Sequence, residues 1–86
     1  MGKMLVNIKT FIPERKVWVS TVAWDIPIGM DRCAETMVFR GNKDEITDYS
    51  ELYFMPHGYC TDEEKLRKEH ERIVKGIKSG EIELYE

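Results

Sequence analysis

The chain has two cysteines, three prolines and no long apolar run. Cys33 and Cys60 are too few to read as a disulfide framework, so free thiols are expected. No stretch approaches the roughly 18 uninterrupted apolar residues of a membrane span, and the first residues lack the basic, apolar, small-residue order of a signal peptide. A cytoplasmic protein without membrane association is the expectation that follows. Internal repeats and low-complexity tracts are missing too, and 86 residues fit one domain, 1–86, with a small core. Positive charge is outnumbered, 13 lysines and arginines against 16 acidic residues, and the net charge of −3 argues against sequence-independent nucleic-acid binding, which draws affinity from lysines and arginines that release phosphate counterions. Neither a glycine-rich phosphate loop nor a Ser-His-Asp order nor a paired-carboxylate motif is found, and no cofactor is implied.

What is present is a globular composition, 42% hydrophobic and 34% charged. Residues 3–10 place Met4, Val6 and Ile8 on one side of an extended strand. Pro13, Glu14 and Arg15 then offer a turn. A second strand at 16–24 alternates Val17, Val19, Thr21 and Ala23 against Trp18, Ser20, Val22 and Trp24. Both of its faces carry apolar groups, as in a central strand with a helix on one side and a loop or a partner on the other. The β pattern resumes at 35–40, with Met37 and Phe39 opposite Thr36 and Val38, and Gly41, Asn42 and Lys43 end it. The run 46–54 reads as a fourth strand.

A helix is predicted over 62–79. Thr61 and Glu64 fit a capping box, Gly80 suits the left-handed closing position, and Leu66, His70, Ile73, Val74 and Ile77 form one apolar stripe. Residues 80–86 are read as a short fifth, edge strand. The expected fold is α+β, an antiparallel sheet of about four strands packed by one C-terminal helix.

His70 is the strongly polar residue on that stripe, and burial requires partners for its ring nitrogens. Two readings stand: a core histidine bonded to a strand residue, or a base or ligand facing a carboxylate, with Asp25 and Glu35 as candidate partners. His57, Cys60, Cys33 and His70 have metal-ligating chemistry, but their spacing is paired on one half only, and no metal is assigned. The aromatic residues Trp18, Trp24, Tyr49, Tyr53, Phe54 and Tyr59 are assigned to core packing rather than base stacking, since no basic groove accompanies them.

VSTV at 19–22, Asp25, ETMVF at 35–39 and the helix that ends its second turn with His70 resemble a group of small phage and prophage proteins. Those carry a V-S-T-V segment, a Gly/Pro-rich loop, W-E-T-M-V-F, a strand ending Y-x-T and a helix with histidine. The match covers about two thirds of the chain, its specificity carried mainly by ETMVF. Ala34 stands where the tryptophan usually does, and the loop reads DIPIGMDRC. The resemblance implies a small phage-encoded cytoplasmic protein, brings no reaction with it, and points to Asp25, Glu35, Thr36 and His70 as candidate binding residues.

The leading functional expectation is a non-enzymatic binding module that takes a host protein or a small ligand. One alternative is a small hydrolase or nuclease-like enzyme in which Asp25, Glu35 and His70 meet, with or without a divalent ion. Another is a virion structural or assembly component, favoured if the two-faced second strand is buried in a homodimer.

Overall fold

Period-two alternation decides which side of each strand is kept from water, and here it gathers most aliphatic residues on one side of the sheet and most aromatic ones on the other. A computed structural model describes residues 2–85. Four strands, β1 (Met4–Ile12), β2 (Val17–Trp24), β3 (Ala34–Gly41) and β4 (Ile46–Pro56), pair antiparallel in the order β1-β2-β3-β4 and are followed by one helix, α1 (Glu63–Ser79). The fold is α+β. Each strand neighbours the next in sequence, as expected where the connections are short enough to act as hairpins or compact loops.

Cross-strand partners share a face of the sheet. Ile8, Thr21, Thr36 and Met55 form one transverse row, and Thr10, Val19, Val38 and Tyr53 form the next. Those rows face α1, whose buried stripe is Leu66, His70, Ile73, Val74 and Ile77. The helix packs on β1 and β2. The remaining inner surface, toward β4, is met by Ile82 and Leu84, which pack against the cluster around Val38 and Leu52. Instead of a fifth strand, residues 81–85 form an irregular tail held by the Tyr85 N–H to the Leu52 carbonyl at 2.6 Å and the Ile82 N–H to the Gly76 carbonyl at 3.0 Å. Gly76 is what lets the tail return. A Cβ there would stand 2.6 Å from Ile82 Cδ1, so the helix carries a notch where the chain folds back.

Three further readings are corrected. Met4 is exposed rather than inward, because a register shift between Met4 and Val6 takes it out of the alternation. The helix is capped by Asp62, whose carboxylate accepts from the Lys65 N–H at 3.2 Å; Thr61 lies one residue before the cap. The aromatic set is not the core. Trp18, Trp24, Tyr53 and Phe54 are half-buried, and Tyr49 and Tyr59 are exposed. The core on the helix side is built mainly from Val, Ile, Leu and Ala, because β2 and β3 put most of their branched residues there, while Phe39 is buried on the other face. Gly80, at φ 84°, closes the helix as its position suggests. Arg15, in the β1–β2 turn, donates to the Ile77 carbonyl at 3.0 Å and so ties the hairpin to the negative end of the helix. Among the described residues no helix is long and apolar enough to cross a membrane.

Candidate functional site

His70 reaches the sheet where β1 and β2 offer hydroxyls instead of methyl groups. Its Nε2 lies 2.8 Å from Thr10 Oγ1 and its Nδ1 lies 2.7 Å from Thr21 Oγ1, so both ring nitrogens are satisfied in a side chain only 2% exposed. The row continues. Thr21 Oγ1 is 2.6 Å from Thr36 Oγ1, directly across β2 and β3, and Thr36 Oγ1 is 2.7 Å from Nε2 of His57, just beyond β4. Thr10, His70, Thr21, Thr36 and His57 therefore make one unbroken line of hydrogen bonds beneath the helix. Thr21 and Thr36 are fully buried, and among the described residues every buried side-chain nitrogen and oxygen has a partner.

Each end of the line opens into a cleft. Thr10 and His70 border one of about 270 Å³ with Glu71, Lys75 and Lys78. His57 borders the other, about 390 Å³, with Cys60, Lys65, Lys68 and Glu69. Burial holds both imidazoles below the ordinary histidine pKa. For His70 the desolvation is reinforced by Arg67 and opposed by Glu71; for His57 it is opposed by Glu69 and reinforced by Arg72. Neutral rings are the form this environment favours.

Of the residues singled out from the sequence, Thr36 and His70 belong to this line, whereas Asp25 and Glu35 do not. Glu35 directly precedes Thr36 in β3, so alternation sends it to the other face of the sheet, where it accepts from Arg32 Nε at 2.7 Å. The Arg32 guanidinium also sits 4.9 Å from the centre of the Phe54 ring. Asp25, in the exposed loop after β2, accepts from the Lys3 N–H at 2.7 Å. The partners of His70 are threonines rather than these carboxylates, so the acid-base trio Asp25, Glu35 and His70 does not assemble. Among the described residues no group of three or more His, Cys, Asp or Glu side chains is placed to hold a metal ion. Cys33 is a buried free thiol, and Cys60 a half-buried one beside His57.

Thr10 and Thr21 are the members of the line that the sequence reading did not select, and His57 entered it only as one of four residues with metal-ligating chemistry. Threonine is ordinary in strands, so Thr10 and Thr21 carried no signal alone. The usable signal was joint: Thr21 and Thr36 lie on the two strand faces that also hold Val19 and Val38, and a helix histidine set over such a face needs hydroxyls.

The opposite, helix-free face is of another kind. Phe11, Trp18 and Phe39 form one transverse row on it, and Ser20, Met37 and Phe54 the next. The Phe11 and Trp18 rings lie 5.3 Å apart and the Phe39 and Tyr49 rings 5.2 Å apart. Gly41 permits this, since a Cβ there would stand 2.7 Å from Trp18 Cδ1, and the indole N–H donates to the Asn42 carbonyl at 2.7 Å. No protein-family model, curated protein or solved structure matches the chain.

Proposed function

We propose that the protein is a phage- or prophage-type cytoplasmic binding module, without enzymatic activity, that takes a host protein on the helix-free face of its sheet. The observation that carries this is the aromatic and aliphatic surface of Phe11, Trp18, Val22, Met37 and Phe54, all half-buried and all on the face of the sheet away from the helix. Its chemistry selects the partner class. Arg32 is neutralised by Glu35, and Lys9 is the exposed cation of β1 on that side, which favours an apolar protein surface over a phosphate-bearing one. The cleft among Lys9, Trp18, Asp44 and Tyr49 is about 240 Å³. That is below the roughly 300–1,000 Å³ of small-ligand sites, so a broad protein contact suits the face better than a metabolite. The internally saturated His70 line supports the non-enzymatic half of the reading, because both nitrogens of its imidazole are already engaged.

The test compares immobilised wild-type protein with Val22→Lys and Met37→Lys in capture from a bacterial lysate, with Lys68→Glu on the helix as control. Capture of one host protein that both sheet variants lose and the control retains is the expected result. Equal capture by all four proteins, or none by wild type, overturns it. Sedimentation analysis separates the remaining case: a wild-type dimer that Val22→Lys makes monomeric gives the face to a second copy instead. A second reading, a small ligand in the His57 cleft, rests on that cleft's size and its Cys60 and Lys68 walls. Its sign is a thermal shift with a nucleotide or other metabolite that His57→Gln abolishes and Val22→Lys does not.

A further inference from the structure

We infer that Thr10, His70, Thr21, Thr36 and His57 form one proton row, in which the tautomers of the two histidines are locked to each other and which holds a single extra proton, not two. The number of hydrogens in the row dictates this. Four hydrogen bonds join the five groups, and each needs one hydrogen between its two heavy atoms. Thr21 and Thr36 each bring one hydroxyl hydrogen and each touches two partners in the row. Two neutral arrangements satisfy all four bonds and leave neither Thr21 nor Thr36 with a spare hydroxyl hydrogen. In one, His57 Nε2–H donates to Thr36, Thr36 to Thr21, Thr21 to His70 Nδ1, and His70 Nε2–H to Thr10. In the other every bond is reversed: Thr10 donates to His70 Nε2, His70 Nδ1–H to Thr21, Thr21 to Thr36, and Thr36 to His57 Nε2. Both histidines are Nε2–H in the first and Nδ1–H in the second. A mixed pair leaves the hydroxyl oxygens of Thr21 and Thr36 facing each other at 2.6 Å with no hydrogen between them, or strands a hydroxyl hydrogen in a fully buried site.

The same count limits protonation. One proton added to His57 fits the first arrangement, and one added to His70 fits the second. Passage between these states breaks His57 Nε2–H, Thr36 O–H and Thr21 O–H and forms new Thr36 O–H, Thr21 O–H and His70 Nδ1–H bonds, so charge moves from one cleft to the other without net gain or loss of atoms. With both rings charged, His70 and His57 donate toward the two hydroxyls from opposite ends, and one hydroxyl hydrogen is left without an acceptor. The charged surroundings do not differ enough in kind to override this. Arg67, Glu71, Lys75 and Lys78 of the helix face His70, and β1 and β2 present Thr10 and Thr21 to it. Lys65, Lys68, Glu69 and Arg72 of the helix and the Cys60 thiol face His57, and β3 presents Thr36.

Side-chain ¹⁵N NMR of the full chain tests this. In wild type at pH 8 the two histidines are expected to report the same tautomer. On acidification both rings are expected to respond at a shared first midpoint, with a second midpoint more than about one pH unit lower. Thr21→Val cuts the row and closes that gap, while Thr36→Ser, which keeps the hydroxyl, preserves it. Opposite tautomers in wild type, or two protons taken up within one pH unit by the folded protein, overturn the inference. Should Thr21→Val fail to fold, the wild-type tautomers and midpoints decide it alone.

Discussion

At the residue scale the behaviour of His70 follows from what it touches. An imidazole taken from water loses about as much as its unmade hydrogen bonds are worth, and Thr10 and Thr21 return both. Thr21 is the member whose loss is most telling, since it serves His70 and Thr36 together. Thr21→Val is nearly isosteric and more apolar, so burial alone would make it neutral or stabilising. It is expected instead to cost about 1–3 kcal/mol, because two buried polar groups lose their partner. In a chain of this size that lowers Tm by about 4–8 °C per kcal/mol, measurable by circular dichroism; an unchanged Tm would mean that the row contributes nothing. The sequence made His70 conspicuous through its place on an apolar stripe, and a core histidine bonded to a strand residue was one of its two readings. Its partners were hidden, since they depend on strand register, which a single sequence fixes only once the loop lengths are known. Glu35 is separated from the line by alternation alone: beside Thr36 in one strand, it cannot share Thr36's face.

At the element scale the strands and the helix were legible because their periods are strong and their ends are marked. Val17, Val19 and Ala23 alternate cleanly in β2, and Leu66, Ile73 and Ile77 repeat along α1. Ends were less clear. Thr61 and Asp62 are adjacent cap formers, and the fold uses the second. Asp62→Ala is accordingly expected to lose about 1 kcal/mol, while Thr61→Ala stays within about 0.5 kcal/mol of wild type in urea unfolding. The reverse order would return the cap to Thr61. The tail differs for another reason: alternating Ile82 and Leu84 look like a strand, but Ile82 seats at the Gly76 notch and the Leu52 carbonyl holds the chain at the Tyr85 N–H, with no ladder between. Side-chain pattern records burial, not ladder formation.

At the scale of the whole molecule, stability rests mainly on the aliphatic side that meets the helix, and the opposite side is the one proposed above for recognition. Stability should carry the mark of the two histidines. Folding lowers the pKa of His57 and His70, so below the ordinary value of about 6.5 the unfolded chain binds more protons than the folded one, and stability falls as pH decreases. Above that value both forms are neutral at these sites and their contribution is level. Urea midpoints are expected to be similar at pH 7.5 and 7.0 and lower at pH 5.5; a midpoint that rises on acidification would contradict the buried, neutral rings. Asp48, held below its ordinary value mainly by the Ser50 backbone N–H, acts only at far lower pH. The threonine-histidine line also bears on how the two layers find their seat. A purely aliphatic interface would let the helix slip along the strands by one turn, about 5.4 Å, at small cost. Here such a slip would take His70 away from both Thr10 and Thr21, leaving its imidazole among methyl groups at about 1–3 kcal/mol for each hydrogen bond unmade, so the line works as a detent that admits one docking position and rejects its neighbours.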